Sequence, residues 1–177
     1  ETDDDLWFFD AKRASVGALF DMGVYAVSSL VAMLGSFVKV TGFVSTFDKP
    51  TDLEDVATLV LQTESGSIVT AETSWCDPAR TSEGSIHGTA GKFTLPGQGG
   101  AAVSLHTPTS YTREHAPVEV QSVDCSDSDP GNMHQHFADH IRSGKQPPLS
   151  NAQSARHVTE IMLSGLESSR LGQSINL

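Results

Sequence analysis

The feature that most limits the fold is a succession of short strand patterns that fills the middle of the chain. Residues 56–62 are predicted to form a strand, residues 64–67 a turn, and residues 68–75 the partner strand of a hairpin. An extended segment from residue 38 to residue 47 precedes this hairpin. Further short strands are predicted at residues 83–88, 92–95, 102–106 and 118–123, with a turn at residues 96–100. Strands linked by hairpins favour a largely antiparallel sheet.

A helical pattern precedes the strands. After an irregular lead-in with aromatic residues at positions 7–9, apolar side chains recur at three- and four-residue spacing from residue 17 to residue 34. Other apolar residues populate the remaining faces of this segment, which indicates a helix that is buried nearly all round. Gly35 follows at the position of a C-cap glycine.

Two further helices are predicted after the strands. The first has an apolar face and ends at Gly144; that face is formed by Met133, Phe137 and Ile141. The second is predicted to begin with a capping box of Ser150 and Gln153 and to end at Gly172. Its apolar stripe is formed by Ala155, Val158, Met162 and Leu166. The order of helix, sheet and two helices predicts a single α+β domain over residues 1–177.

Composition excludes several classes of protein. The formal net charge of −11 argues against nucleic acid as a partner, because phosphate binding needs clustered Lys and Arg. The apolar run at residues 24–34 is too short to span a membrane. Cys76 and Cys125 do not indicate a disulfide framework. Two reduced thiols in a cytoplasmic protein are favoured, and a single disulfide between them is the alternative. The chain begins without an initiator Met or a signal-peptide core, which suggests a fragment of something longer.

A carboxylate and a phenol stand four residues apart in the apolar run at residues 15–25. If this run is one helix, Asp21 and Tyr25 lie on the same face, one turn apart. Burying a carboxylate is costly unless it gains partners. The pair therefore belongs either to a structural hydrogen-bond network or to an active site, and the residue pattern by itself favours the structural pair.

Several segments, taken in order, resemble the C-terminal domain of the Gfo/Idh/MocA family, the relatives of glucose–fructose oxidoreductase and inositol dehydrogenase. These segments are Trp7, Ser15-Val16-Gly17, residues 18–25, Glu64-Ser65-Gly66-Ser67, residues 86–92 and residues 167–173. The resemblance covers almost the whole chain. It implies a largely antiparallel open β-sheet with helices packed on one face, of the ferredoxin/dehydrogenase C-terminal type.

The family's members usually carry an N-terminal nicotinamide-binding domain with a glycine-rich turn and a catalytic lysine. The glycines at positions 97, 99 and 100 neither follow a strand nor open a helix, so they do not form the G-x-G-x-x-G fingerprint. This chain therefore resembles only the second half of such proteins. In the family, that half supplies the wall of the substrate pocket and an open sheet used for dimerisation, which implies a homodimer or tetramer.

The resemblance also assigns roles to residues. Asp21 and Tyr25 match an Asp followed four residues later by His or Tyr, which stands beside the nicotinamide and works with the lysine. A free phenol is a poor base near neutrality, and a neighbouring ammonium would favour the phenolate. Whether the phenol or the lysine transfers the proton is therefore open. Gly17 matches a position near the cofactor, where many relatives have three glycines instead of Ser15-Val16-Gly17.

Three more residues are candidates for substrate contacts, each with a structural alternative. Trp7 either lines the pocket or packs beside a helix start, and Lys12 and Arg13 either contact a sugar hydroxyl or cofactor phosphate or are solvated. A metal site is not favoured, although His136 and His140 have a workable zinc spacing and His134 lies nearby, because carboxylate or cysteine partners are missing.

The sequence thus predicts the substrate-binding and oligomerisation domain of an NAD(P)-dependent oxidoreductase that acts on a sugar, polyol or similar alcohol. By itself the chain is expected neither to bind NAD or NADP tightly nor to turn over. The alternative is a stand-alone α+β interaction module whose sheet pairs with a partner and whose Asp21 and Tyr25 are vestigial.

Overall fold

The computed structural model describes residues 6–78, 83–95, 102–109, 117–124 and 132–177. The chain divides into two compact units. Unit 1 contains Glu1–Asp77 and Gln146–Leu177, and unit 2 contains Pro78–Lys145. The single domain over residues 1–177 stays a prediction. The expected turn at residues 96–100 and Cys125 lie outside the described residues.

The described helices and strands have the following bounds. A 3₁₀ turn at Trp7–Phe9 precedes helices α1 (Ala11–Ala14), α2 (Ala18–Asp21) and α3 (Gly23–Leu34); helices α4 (Met133–Ser143) and α5 (Ala152–Leu171) follow the main strands. The strands are β1 (Phe37–Ser45), β2 (Val56–Thr63), β3 (Ile68–Ser74), β4 (Gly84–His87), β5 (Lys92–Leu95), β6 (Ser104–Pro108), β7 (Val118–Ser122) and β8 (Ile175–Asn176).

The strands form one four-stranded sheet in each unit. The order is β3-β2-β1-β8 in unit 1 and β4-β5-β6-β7 in unit 2, and every pairing is antiparallel. Helices α3 and α5 contact the sheet of unit 1. The predicted α+β class, with a largely antiparallel sheet and helices on one side, is confirmed.

The core of unit 1 lies between its sheet and helices α3 and α5. Burial alternates strictly along β2, because successive side chains of a strand point to opposite faces. The inward residues Leu59 and Leu61 are fully buried and belong to the same cluster as Val27 of α3 and Ile161 of α5. The helices therefore cover one face of the sheet, and the other face carries the exposed side chains of Phe43 and Ile68.

Helix α5 approaches the sheet most closely at two glycines. A Cβ added to Gly42 would lie 2.1 Å from the carbonyl oxygen of Gly165, and one added to Gly165 would lie 2.5 Å from Leu59 Cδ2. Just beyond this contact, two serines of α5 accept backbone hydrogen bonds from β1: the N–H of Gly42 donates to Ser168 Oγ at 3.0 Å and that of Val44 to Ser169 Oγ at 3.1 Å.

Most expected elements of unit 1 are confirmed, with corrections to the first helix. The hairpin around residues 64–67 and the stop at Gly35 are observed, the latter with a positive φ. The continuous helix over residues 17–34 is wrong, because Met22 separates α2 from α3 where Gly23 comes close to Thr73 of β3. The expectation of burial all round is also wrong: packing against the sheet and α5 covers only part of α3, and Tyr25 and Met33 are exposed.

The later elements also differ in detail from expectation. The capping box of Ser150 and Gln153 is wrong, because Asn151 is the N-cap of α5 and accepts from the N–H of Ser154 at 2.9 Å. The stop glycines Gly144 and Gly172 are confirmed, both in the left-handed region. Strand β6 begins two residues later than predicted, at Ser104.

Candidate functional site

The carboxylate of Asp21 lies at the end of α2, where it meets the end of β3. Trp75, the residue directly after β3, donates its indole Nε1–H to Asp21 Oδ2 at 2.8 Å. Asp21 itself is exposed, so this carboxylate is a surface group with one fixed partner rather than a buried group. Sequence reasoning missed Trp75 because no local pattern relates two residues 54 positions apart.

Trp75 belongs to a cluster of aromatic rings that begins at Trp7. Its ring makes edge contacts with Phe8 and Phe9, at centroid distances of 5.5 and 5.6 Å. Trp7 contacts Phe8 at 6.3 Å, and 57% of Trp7 remains exposed. The cluster thus has a solvent-facing indole at one end and an indole hydrogen-bonded to Asp21 at the other. Trp7 therefore packs against Phe8 and also presents an exposed aromatic surface.

Tyr25 lies on the first turn of α3, and 68% of it is exposed. Its carbonyl oxygen accepts from Ser29 Oγ at 2.7 Å and from Ser28 Oγ at 3.2 Å. Within the described part of the chain, no hydrogen bond joins Tyr25 to Asp21. Asp21 and Tyr25 therefore lie on consecutive helices and are both exposed. They do not form a direct pair.

Gly17 and the start of α2 are fixed by Glu54. Glu54 Oε1 accepts from the N–H groups of Gly17 at 3.1 Å and Leu19 at 3.2 Å, and the Glu54 carbonyl oxygen accepts from the N–H of Ala18 at 2.8 Å. A Cβ at Gly17 would lie 2.1 Å from that carbonyl oxygen, so only glycine fits there. These N–H groups are already used and are not free to bind an anion.

Lys12 and Arg13 lie on α1, and both are exposed. Lys12 borders an open depression of about 500 Å³, whose other lining residues are Phe9, Asp10, Ala11, Lys49, Pro50, Thr51 and Asp52. Neither Asp21 nor Tyr25 borders this depression. The structure therefore places Lys12 beside an open depression that the Asp21 side chain does not line.

A buried carboxylate, Asp55, fixes the backbone from which Trp75 projects. Asp55 accepts from the N–H groups of Phe47, Asp48 and Lys49 at 2.7, 2.7 and 2.8 Å, and its carbonyl oxygen accepts from the N–H of Trp75 at 2.8 Å. Burial works to raise the pKa of Asp55, but these backbone donors outweigh it, and the pKa lies below its usual value.

Cys76 shares this buried network. Its thiol lies 3.3 Å from Asp55 Oδ2, and burial together with the neighbouring carboxylate raises the pKa of the Cys76 thiol. A thiol whose deprotonation is disfavoured is a weak nucleophile. The network therefore supports the backbone of Trp75, and the Cys76 thiol within it is a poor nucleophile.

The histidines considered as metal ligands lie on α4. The rings of His136 and His140 lie 4.5 Å apart, and His140 Nδ1 is 2.8 Å from the carbonyl oxygen of Lys145. Among the residues that the structure describes, no group of three His, Cys, Asp or Glu side chains is arranged to hold a metal ion. In the same described segments, no helix combines the length and the apolar character needed to cross a membrane.

Comparison with known proteins supplies a family and a fold. The family model of the GFO/IDH/MocA C-terminal domain matches residues 1–94, just over half of the 177 residues. That segment contains Asp21, Tyr25 and Trp75. No curated protein matches the sequence.

Several solved structures share the fold at low sequence identity. Levoglucosan dehydrogenase in complex with NADH and levoglucosan has a TM-score of 0.75 and 17% identity, and the match covers 100% of this chain and 56% of that one. Aldose–aldose oxidoreductase from Caulobacter crescentus, complexed with glycerol, has a TM-score of 0.77 and 16% identity, covering 100% and 52%. GenD2 from gentamicin A biosynthesis, in complex with NAD, has a TM-score of 0.72 and 24% identity, covering 97% and 51%. This chain thus spans about half the length of these structures.

Proposed function

This chain belongs to the GFO/IDH/MocA C-terminal domain family, and we propose that it is the substrate-binding and oligomerisation domain of an NAD(P)-dependent oxidoreductase that acts on a sugar, polyol or related alcohol. One observation carries the proposal. The segment that the family model matches presents an exposed carboxylate, Asp21, which is bonded to Trp75 of the aromatic cluster, and an exposed phenol, Tyr25, on the next helix.

The residues at this surface suit a polyhydroxylated substrate. An aromatic face offers apolar contact, and a carboxylate and a phenol offer an acceptor and a donor for hydroxyl groups. Trp7 provides the exposed indole, while Asp21 and Tyr25 provide the polar groups. Lys12 and Arg13 lie on α1, which begins two residues after Phe9 of the aromatic cluster. We assign them to substrate contacts more distant than those of Asp21 and Tyr25.

The start of α2 is a poor fit for the pyrophosphate of a dinucleotide. The N–H groups at the start of α2 donate to Glu54, and the carbonyl oxygen of Glu54 fills the space beside Gly17. We therefore assign tight binding of NAD or NADP to a separate nucleotide-binding domain of the full-length protein. Gly17 then contributes close packing near the site and no phosphate contact.

Residues of this chain are candidates for transferring a proton and for binding a substrate hydroxyl group. Oxidation of an alcohol requires removal of the hydroxyl proton, and the reverse reaction requires an acid that returns it. Tyr25 is the candidate for this transfer, either directly or together with a lysine of the nucleotide-binding domain. Asp21 would accept a hydrogen bond from a second hydroxyl and stabilise positive charge nearby.

The outer face of the unit 1 sheet is the surface that we assign to self-association. Phe43 of β1 and Ile68 of β3 are 65% and 72% exposed and lie on the face opposite α3 and α5. Exposed apolar groups on a sheet face favour association with a second apolar face. A homodimer or tetramer through this face would cover both side chains.

The decisive experiment uses the full-length protein expressed from its natural gene. We expect NAD(P)H-linked turnover of at least one compound in a panel of sugars and polyols. Tyr25→Phe is expected to lower kcat by about 10²–10⁴-fold if the phenol transfers the proton, since general acid–base catalysis contributes a factor of this order. The control is Ser36→Ala, which removes an exposed hydroxyl after α3 and should leave kcat unchanged.

One outcome would contradict the proposed function, and a second would contradict the role given to Tyr25. A natural gene product of only these 177 residues, without oxidoreductase activity, would favour the stand-alone interaction module. Turnover that survives Tyr25→Phe with unchanged kcat and KM would remove Tyr25 from the reaction and assign the proton transfer to another group.

A further inference from the structure

We propose that Trp75 is a positioning residue of the site, because its indole N–H fixes the orientation of the Asp21 carboxylate. This inference rests on the oxidoreductase function proposed above. Its structural basis is the 2.8 Å hydrogen bond from Trp75 Nε1 to Asp21 Oδ2, which links the end of β3 to the end of α2.

Trp75 is well suited to this role because it is fixed at both ends. Its ring lies in edge contact with Phe8 and Phe9, and its backbone N–H donates to the carbonyl oxygen of Asp55. Asp55 is itself buried and anchored by three backbone donors. The donor therefore has little freedom, whereas the side chain that it orients is exposed.

The chemistry of the contact leaves one carboxylate oxygen of Asp21 for the substrate. A carboxylate has two oxygens and about four acceptor sites, and the indole N–H is a donor only. With Oδ2 engaged by the indole, Oδ1 is left as an acceptor for a substrate hydroxyl. An Arg or Lys partner would neutralise the charge of Asp21. The indole is neutral, so it orients the Asp21 carboxylate and leaves its charge in place. A pre-oriented group of this kind avoids part of the entropic cost of reaching a productive geometry.

Packing by itself would not require a tryptophan at this position. A phenylalanine could contact Phe8 and Phe9, but it lacks the N–H group that reaches Asp21. Trp75 is half-buried, so the indole is neither confined to the core nor free in solvent. The feature that distinguishes Trp from Phe here is the hydrogen bond to the exposed carboxylate.

The first arm of the test observes the hydrogen bond directly in the full-length protein with ¹⁵N-labelled indoles. The Trp75 indole resonance is the one that disappears in Trp75→Phe. We expect Asp21→Ala to shift this resonance upfield and to speed its exchange with solvent. The control Glu64→Ala removes an exposed carboxylate in the β2–β3 turn and should leave the resonance unchanged. An unchanged Trp75 resonance in Asp21→Ala would overturn the proposal.

The second arm measures kinetic coupling between the two residues. Trp75→Phe is expected to lower kcat by about 10- to 100-fold with little change in KM, since misplacing an active-site group by about 1 Å has effects of this order. In an Asp21→Ala background, the same substitution should change kcat by less than about twofold, because the carboxylate that Trp75 positions is absent. Equal effects in both backgrounds would overturn the positioning role.

The two proposals fail in different ways. A full-length protein that is inactive on every sugar and polyol overturns the proposed function, and the positioning role with it. An active protein in which the two effects are independent overturns only the positioning role. If Trp75→Phe does not fold, Trp75→Met replaces it in the same cycle, because a flexible methionine can fill the space.

Discussion

At the scale of single residues, one buried carboxylate shapes the surroundings of the site. Asp55 is fully buried, and its carboxylate is surrounded by donors, namely three backbone N–H groups and the Cys76 thiol. Such a carboxylate is stabilised in its charged form, which is why its pKa lies below the usual value.

This network predicts a loss of stability in acid. The pKa of Asp55 is about 3.9 in an unfolded chain and lower in the folded protein, so its contribution is fully present above about pH 4 and is lost as the pH falls through the lower folded value. Asp55→Asn should reduce this acid dependence and lower the free energy of unfolding near neutrality by about 1–3 kcal/mol. Urea unfolding across the acidic range measures both, and a wild-type acid slope in the Asp55→Asn variant would contradict the prediction.

Sequence reasoning at this scale singled out candidate site residues but not their partners. The four-residue spacing brought Asp21 and Tyr25 to attention, because both lie in one short segment. The hydrogen-bond partners, Trp75 for Asp21 and Glu54 for Gly17, lie 54 and 37 residues away. Spacing along a chain does not encode such long-range pairing, which depends on how the elements pack.

At the scale of elements, local patterns were sufficient where they were unambiguous. The β2–β3 hairpin was predicted because two apolar strand patterns flank the turn-forming residues 64–67, and the structure gives Gly66 in this turn a positive φ. The start of α5 was misplaced by one residue because Ser150 and Asn151 are both good caps. Asn151 also donates to the carbonyl oxygens of Pro147 and Pro148, and these local bonds to the preceding loop favour it as the cap.

The contact of α5 with β1 leads to a prediction about stability. Gly42→Ala should destabilise the protein by about 1–3 kcal/mol or more, because the added methyl group would meet the carbonyl of Gly165 and push the helix from the sheet. Ser45→Ala, on the same strand but exposed, should stay within about 0.5 kcal/mol of wild type. Chemical denaturation measures both, and equal midpoints for the two variants would contradict the close contact.

At the scale of the whole molecule, the change of hydrophobic period was enough to predict the α+β class. The division of the strands into two sheets was not predicted, because short strands of similar pattern do not reveal which neighbours they pair with. The covering of α3 on only one side was missed for a related reason: an apolar residue shows that burial is favourable, but not whether a partner surface is present.

Self-association provides a test at this scale. If the outer face of the unit 1 sheet forms the interface, Phe43→Arg should reduce the molar mass in solution to that of a smaller assembly, because it places a charge in an apolar contact. Phe47→Arg is the matched control, since Phe47 is 80% exposed in the segment after β1. Light scattering of the full-length protein measures both, and an unchanged mass for Phe43→Arg would exclude this face as the interface.

The two serines of α5 that bond to β1 have a consequence for behaviour at high concentration. A strand edge with unpaired N–H groups can recruit strands from other molecules and grow into fibrils. Strand β8 covers only residues 39 and 40 of β1, and the hydroxyls of Ser168 and Ser169 occupy the N–H groups of Gly42 and Val44 beyond it. Fibril growth from this edge therefore requires that the C-terminal end of α5 first separates from β1.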